Sequence, residues 1–519
     1  MKNLTTEKVI FGLIALGTFL IAPLLTTEFL AGNTLPVVLI FCFGLIFAVR
    51  DQLWILIPLC LPLTGSLNIL PVRFSPLELS IMLVLGYVFL KIIFTEHRLL
   101  RLGPKEICLP LLLMASILLY HWGSGGDLGL SMLGGQNSGG RRFFSILLGM
   151  LGLPSLLYFP LEKSPWLSRV PLLYLVGSLL EFIPFVASSF APSYAPYIYR
   201  FYSSVNLETY ANSVSFIENP LVRISQVGGV CLALQLVLFC YFPPRNWLRP
   251  TRWFVVPFSI LLFLATAWSG FRSSLFNYLV AAGTALFLRS RWLVLLSFPL
   301  IGGLLAFLIF GQGDLFHLPL TIQRALSPFP GKWNREVLMS TESSNDFRSN
   351  IQKVYVAEFM DKAGWLGNGY KYDAQYMADR EGSIGTMILE ASGDAQARSY
   401  ITARDHHVGW VAVHHVTGWI GSGAFVLLCL GSLFYVWPHV LRPHSGDVPP
   451  EQVWAVALIT QSILGFFIVF GALHNFIPSL CVFLGVAIQS FRVDRTTAAT
   501  SNSSFPVEKS FLDHPEYFA

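Results

Sequence analysis

The chain has 519 residues, of which 54% are hydrophobic and only 12% are charged, and its mean hydropathy is +0.61. This composition excludes an ordinary soluble globular protein and is typical of a polytopic membrane protein. The formal net charge of +5 is small for this length, and the basic residues are spread among loops, so we expect no nucleic-acid partner.

Apolar runs long enough to cross a bilayer core of about 30 Å recur along most of the chain. They lie near residues 9–25, 35–49, 53–70, 77–94, 106–120, 143–160, 170–190, 222–242, 253–269, 272–288, 291–311, 408–437, 452–472 and 475–491. The sequence therefore predicts an all-α membrane protein with about fourteen transmembrane helices, or twelve if two runs are re-entrant or merged. An even number places both termini on one side of the membrane.

The short basic loops predict the orientation. Lysine and arginine are concentrated at 91–105 and 245–252, at Arg289 with Arg291, and at Arg442, and these loops alternate onto the side of the N-terminus. By the positive-inside rule this side is cytoplasmic. The long polar segment 312–407 then faces outward, into a periplasm.

Two arginines are predicted near the outer boundary of the bilayer. Arg223 lies near the outer end of the eighth predicted helix, and Arg272 lies in the tight hairpin 268–274, WSGFRSS. An arginine inside the membrane costs about 2.5–3.5 kcal/mol unless it reaches water or an anion. The pair therefore suggests a polar cavity, although each arginine could instead extend to lipid headgroup phosphates.

The outer segment contains a predicted amphipathic helix and a Gly-rich turn. Apolar residues keep helical spacing from 346 to 359, with Asn345 or Asp346 as the N-cap and Gly364 as the stop. The turn GWLGNGY follows at 364–370. We expect this helix to lie on the membrane-embedded core.

Four of the eleven histidines fall within residues 405–421, where the outer segment returns to the membrane. His406 and His407 follow Asp405 at the expected mouth of the helix bundle, and a helix is predicted from about Val408. His414 lies deeper on that helix, where we expect it to hydrogen-bond a neighbouring helix. The alternative for His414 and His415 is that they are simply interfacial residues. No metal-binding or nucleotide-binding motif occurs in a usable context, so we expect neither a metal nor another cofactor.

The order of these elements resembles the superfamily of O-antigen ligases and O-antigen polymerases. The resemblance covers roughly residues 215–437 and rests on the following residues, in this order: Asn219, Pro220 and Arg223; Ser269, Gly270, Arg272 and Ser273; Arg348 with Gly367 and Gly369; and His407 with Gly418 and Gly421. The usual His-Asn pair is replaced here by His407 and Val408, which leaves His406 as the alternative for the family histidine. The resemblance divides the chain into N-terminal transmembrane helices (1–214), a ligase-like catalytic region (215–437) with the outer loop 312–407, C-terminal transmembrane helices (438–491) and a disordered cytoplasmic tail (492–519).

The resemblance implies a metal-independent, GT-C-like glycosyltransferase of the bacterial inner membrane, with its active site facing the periplasm. The donor would be a glycan linked to polyprenyl (undecaprenyl) pyrophosphate, and the acceptor a hydroxyl of a glycan or lipid. Arg223, Arg272 and Arg348 would bind the pyrophosphate, His407 or His406 would be the general base, and Asp405 would orient it. A polymerase with the same donor, a polysaccharide transporter and a non-catalytic assembly protein are the alternatives, and the oligomeric state is left open.

Overall fold

The computed structural model describes residues 44, 49–68, 74–94, 103–124, 140–161, 164–190, 193, 197–198, 201–203, 225–244, 247, 249, 251–370, 393–402, 404, 406–441 and 448–503. Over these residues the chain is almost entirely helical. The predicted helices at 9–25 and 35–49 lie almost wholly outside them. Arg223, Asp405, Asn219 and Pro220 also lie outside the described residues.

The α-helices of the described residues are numbered here in chain order. The first half contains α1 (Leu56–Cys60), α2 (Pro76–Phe94), α3 (Lys105–Ser124), α4 (Gly140–Tyr158), α5 (Val170–Phe190), α6 (Ser225–Tyr241) and α7 (Val255–Trp268). The second half contains α8 (Arg272–Arg289), α9 (Arg291–Gly311), α10 (Leu320–Leu326), α11 (Arg335–Val354), α12 (Met360–Ala363), α13 (Gly393–Thr402), α14 (Gly409–Leu441), α15 (Pro450–Ile468) and α16 (Leu473–Ser503). Seven of the described helices are long and apolar enough to cross a membrane. The prediction of a helical membrane protein is thereby confirmed.

The predicted single span at 53–70 is wrong. A short 3-10 helix (Arg50–Ile55) leads into α1, which ends at Cys60. The chain then forms strand β1 (Ser66–Leu67), which pairs antiparallel with β2 (Tyr202–Ser203). Pro62 follows two residues after the end of α1, and because proline has no backbone N–H it does not support a further helical turn there.

The last two apolar helices form the centre of the bundle. Buried residues make up 83% of the apolar window of α16 and 72% of that of α15, compared with 12% for α9 at the periphery. Helix α16 packs against α4 and α15, while α14 packs against α3 and α15. Helix α15 therefore contacts both α14 and α16.

Polar side chains within the bundle hydrogen-bond between helices. The Tyr278 hydroxyl donates to Gln235 Oε1 at 2.6 Å, and Gln235 Nε2 donates to Ser259 Oγ at 3.1 Å. Gln489 Nε2 lies 2.9 Å from the carbonyl oxygens of both Leu156 and Phe159. These bonds join α6 to α7 and α8, and α16 to the end of α4, where little water is available as an alternative partner.

The predicted amphipathic helix of the outer segment is confirmed, but it begins earlier than expected. Helix α11 starts at Arg335, because the side chain of Asn334 accepts a hydrogen bond from Glu336 N at 2.9 Å. After Val354 the chain continues as a π-helical turn (Tyr355–Phe359) and α12, and it ends at Gly364 (φ 56°) as predicted. Its apolar face packs against α13 and the start of α14; the buried members of this cluster are Ile351, Val354, Tyr355, Ala397, Ile401, Val408 and Val411.

The final helix extends further than expected. Helix α16 continues to Ser503, so the beginning of the tail predicted to be disordered from 492 is helical. No glycine or proline occurs between Pro478 and Ser503 except Gly485, and the intervening alanine and arginine residues favour helix. Residues 504–519 lie outside the described part of the chain.

Candidate functional site

Two of the predicted anion-binding arginines lie close together. Helix α8 begins at Arg272, directly after the tight turn at Gly270 (φ 73°), and Arg272 Nη1 donates a hydrogen bond to Asn345 Oδ1 of α11 at 3.1 Å. Arg348 is one turn further along α11, and its positive charge acts on Arg272. The hairpin and α11 therefore bring the two guanidinium groups near each other.

This arginine pair has the character of an anion site. Both side chains are half-buried, and burial lowers the pKa of Arg348 below its usual value. Among the described residues, neither arginine forms an ion pair with a carboxylate. Two like charges held together at partial burial repel each other, and an anion between them would remove this cost. The predicted contribution of Arg223 remains a prediction, since that residue is not described.

His407 lies in the turn immediately before α14 rather than on the helix itself. Its φ of 51° is in the left-handed region, which costs a non-glycine residue about 1–2 kcal/mol. Its half-buried ring is surrounded by three aromatic rings, with centroid distances of 5.9 Å to Phe347, 5.4 Å to Tyr400 and 5.2 Å to Phe470. Since Phe347 and Arg348 are consecutive in α11, this helix connects the imidazole to the arginine pair. The orienting role of Asp405 remains a prediction.

His406 has a different environment from His407. Its side chain is 3% exposed, and its Nε2 lies 2.7 Å from His415 Nδ1. Burial and the nearby charges of Arg404 and Arg142 hold the pKa of His406 well below its usual range, so the ring is neutral at physiological pH. This arrangement favours His407 over His406 as the residue that meets a substrate.

His414 hydrogen-bonds a neighbouring helical segment, as expected. The Tyr355 hydroxyl and His414 Nδ1 are 2.6 Å apart, and the Tyr355 ring also packs against His415, with centroids 5.4 Å apart. Tyr355 lies in the π-helical turn, a distortion that is frequent at functional sites. The two membrane histidines are therefore held by the outer helix.

Sequence reasoning missed two further arginines, the buried Arg142 and the partly buried Arg404. Arg142 Nη1 donates to the carbonyl oxygen of Arg404, and the Arg142 guanidinium lies over the Tyr370 ring at 5.6 Å from its centroid. Arg404 Nη1 in turn contacts the ring of His415. The sequence feature that could have identified Arg142 is its position at the start of an apolar run, at the end predicted to face outward.

The Gly-rich turn at 364–370 docks into a break in α14. At Gly418 the helix has φ 65° and ψ −165°, so backbone groups on either side lack helical partners. Asn368 N donates to His415 O at 2.8 Å, Gly369 N to Val416 O at 3.0 Å, and Ile420 N to Trp365 O at 3.0 Å. The turn thus replaces the missing helical bonds and fixes the outer segment to the membrane helix that begins beside His407.

Together these residues form an arginine pair and an imidazole, both of which contact α11. Such an arrangement can bind a phosphate-bearing group and accept a proton beside it. In the described part of the chain, no three His, Cys, Asp or Glu residues are grouped as metal ligands would be. No known protein-family model matches this sequence, and no curated protein is significantly similar to it.

Proposed function

We propose that this chain is an O-antigen ligase-like membrane glycosyltransferase of the GT-C-like class. It transfers an oligosaccharide or polysaccharide from a polyprenyl pyrophosphate carrier, such as undecaprenyl pyrophosphate, to an acceptor hydroxyl on a glycan or lipid. The observation that carries this proposal is the pair Arg272 and Arg348, which lacks a carboxylate partner among the described residues and is joined through α11 to His407.

The arginine pair supplies the chemistry that the leaving group needs. A pyrophosphate carries several negative charges, and planar guanidinium groups can bind its oxygens with two parallel hydrogen bonds each. Partial burial strengthens this attraction relative to water. As the carrier leaves, the negative charge that develops on its phosphate oxygen is stabilised by donors that are already in place.

In the proposed reaction, His407 accepts the proton of the acceptor hydroxyl. The oxygen attacks the anomeric carbon of the donor sugar, and the bond between that carbon and the phosphate oxygen breaks. The electron pair of this bond leaves with the polyprenyl pyrophosphate. The donor is already activated, so the reaction needs no nucleotide and no cofactor, and the aromatic rings around His407 limit competing attack by water.

An apolar groove supports a donor with a lipid tail. A cavity of about 430 Å³ lies between α3 and α4 and extends from Gly103 to Trp122. Its lining is almost entirely apolar, and the lining residues Leu112 and Leu151 are exposed at the outside of the bundle. A groove of this kind suits a polyprenyl chain that enters from the bilayer.

We also propose the membrane arrangement that this function requires. The helices cross a bacterial inner membrane, the short loops rich in lysine and arginine are cytoplasmic, and the segment 312–407 faces the periplasm. The distribution of lysine and arginine among the short loops supports this orientation. The donor and the acceptor would then both reach the site from the periplasmic side.

The alternative closest to this proposal is a polymerase that uses the same donor and adds it to another glycan repeat. Deletion of the gene, followed by analysis of the surface glycan, distinguishes the two. Loss of all attached polymer indicates a ligase, whereas a single attached repeat unit indicates a polymerase. An unchanged surface glycan would argue against both, and tolerance of substitutions at Arg272 and His407 would indicate a non-catalytic assembly protein.

A further inference from the structure

A polar cavity lies between α11 and α13. Its volume is about 540 Å³, within the range of about 300–1,000 Å³ that is usual for small-molecule sites. Serine, asparagine and glutamine side chains line it, among them Ser343, Asn350 and Gln396. Phe347 and Tyr400 contribute its aromatic surface. We call it the α11–α13 pocket.

The polar side chains of the α11–α13 pocket are available to a ligand. None of the hydrogen bonds among the described residues uses the side chain of Ser343, Asn350 or Gln396. Among the described residues that line the pocket there is no lysine or arginine, and Asp346 is the one charged residue. It therefore differs in charge from the arginine pair and is poorly suited to a pyrophosphate.

This combination of groups matches the surface chemistry of a carbohydrate. A sugar ring has an apolar face of C–H groups that packs against aromatic rings, and hydroxyl groups around its edge that pair with amides and hydroxyls. The Phe347 and Tyr400 rings pack edge to face, with centroids 4.9 Å apart. The two rings form an angled aromatic surface against which a sugar ring can pack.

The same two aromatic side chains connect the pocket to the imidazole. Phe347 and Tyr400 both contact His407, at centroid distances of 5.9 and 5.4 Å. A sugar bound against these rings would therefore lie beside the group proposed to accept a proton. Arg348 follows Phe347 directly, so the pocket and the anion site lie on neighbouring faces of α11.

We propose that the α11–α13 pocket binds the acceptor as a saccharide without a pyrophosphate group, and that it presents a hydroxyl of that saccharide to His407. This inference rests on the proposed function, but carbohydrate binding by the pocket can be tested without any transfer reaction. In this proposal the acceptor, rather than the donor, binds between the outer helices α11 and α13.

The direct test is saturation-transfer NMR on the purified full-length protein in lipid nanodiscs. The probes are methyl glycosides of glucose, galactose, mannose and N-acetylglucosamine. At least one of them is expected to receive saturation from the wild-type protein. Gln396→Ala and Asn350→Ala should weaken its binding about tenfold, the size of effect expected when a hydrogen bond to a ligand is lost. Among the described residues these two side chains have no hydrogen-bond partner, so their removal should leave the fold intact.

A control variant separates the pocket from the rest of α11. Lys353 is exposed on the same helix and does not line the pocket, so Lys353→Ala should bind the glycoside as the wild type does. Equal weakening by Lys353→Ala, or no saturation of any of the four glycosides by the wild type, would overturn the assignment.

Kinetics distinguish failure of this inference from failure of the proposed function. In a transfer assay, Gln396→Ala should raise the KM for the acceptor while leaving the KM for the donor unchanged. A raised donor KM instead would assign the pocket to the donor glycan and overturn the inference, although the transferase function would stand. If the protein binds a glycoside in the pocket but never cleaves a polyprenyl pyrophosphate donor, carbohydrate binding by the pocket stands and the transferase function fails.

Discussion

Gly367 and Gly418 pack backbone against backbone, both in the left-handed region, at φ 81° and 65°. A Cβ on Gly367 would lie 2.5 Å from the backbone nitrogens of both Thr417 and Gly418. This contact joins the Gly-rich turn of the outer segment to the break in α14. The two glycines, which belong to separate motifs in the sequence, therefore form one structural joint.

Substitution at this joint should destabilise the protein. In Gly418→Ala the new Cβ would overlap the backbone of Trp365, and the left-handed conformation alone costs about 1–2 kcal/mol. We expect a lower midpoint of thermal unfolding in detergent, measured by fluorescence-detected size-exclusion chromatography. Gly423→Ala, where nothing lies within 4 Å of the new Cβ, is the matched control on the same helix. Similar midpoints for the two variants would show that the joint is unimportant.

Arg272→Lys should lose most transfer activity while the protein still folds. A lysine keeps the charge but cannot make two parallel hydrogen bonds to pyrophosphate. Loss of one charge-assisted hydrogen bond corresponds to roughly a tenfold to hundredfold loss of affinity for inorganic pyrophosphate, measured by calorimetry. Arg335→Lys makes the same exchange at an exposed position of α11 and should behave like the wild type. Unchanged affinity and transfer in the Arg272 variant would remove the pyrophosphate role.

His407→Ala should reduce the rate of transfer by about a hundredfold to ten-thousandfold, the usual effect of removing a general base. The measurement is single-turnover transfer at saturating donor, with equal amounts of folded protein. His414→Ala breaks the hydrogen bond to Tyr355 and should affect stability more than turnover. If His407→Ala retained turnover and His414→Ala lost it, the base assignment would be wrong and the reacting group would lie deeper in the bundle.

The buried cluster around His406 should make the protein sensitive to acid. The pKa of His406 in the folded state is well below its usual value of about 6.5, so the unfolded chain binds the additional proton first as the pH falls. Stability should therefore be highest above about pH 6.5 and decrease as the pH falls below it. The groups around His406 are His415, Arg404, Arg142 and His407.

His406→Asn tests this pH dependence. The variant removes the titrating group, so its unfolding midpoint should change less than that of the wild type between about pH 7.5 and about pH 5.5. These two pH values lie about one unit above and one unit below the reference pKa of histidine. The variant can be less stable at neutral pH, because it loses the contact with His415, and the comparison therefore uses the slope with pH. Equal slopes in both proteins would exclude His406 as a source of the acid sensitivity.

The proposed orientation is testable by cysteine labelling in intact cells. Gln352 is exposed on α11, in the segment proposed to face the periplasm, and Ser168 is exposed between α4 and α5, on the proposed cytoplasmic side. A membrane-impermeant maleimide should label Gln352→Cys in intact cells but label Ser168→Cys only after lysis. The reverse pattern would invert the topology and place the arginine pair in the cytoplasm.

Local patterns in the sequence were sufficient for the class of protein and for many of its elements. Hydropathy identified apolar helices such as α9, and the Ser-Gly pair before Arg272 predicted a tight hairpin, which Gly270 forms. Helical spacing identified the apolar face of α11, and Gly364 marked the end of α12, which continues the same helical segment. These properties depend on residues a few positions apart, so they can be read without knowledge of the packing. The run at 53–70 is apolar enough to predict a span, but the helix in it ends at Cys60, before Pro62.

The relationships that form the candidate site depend on the tertiary structure. Arg272 and Arg348 are far apart in the chain, and only the packing of α11 over the hairpin brings their charges together. His406 and His407 are adjacent and chemically identical, yet one ring is buried against His415 and the other lies among aromatic rings beside the pocket. Burial and contact arise from how separate helices pack against one another, and no local spacing specifies that packing. The sequence therefore determined a helical membrane protein with candidate arginines and histidines, and the tertiary structure decided which of them meet.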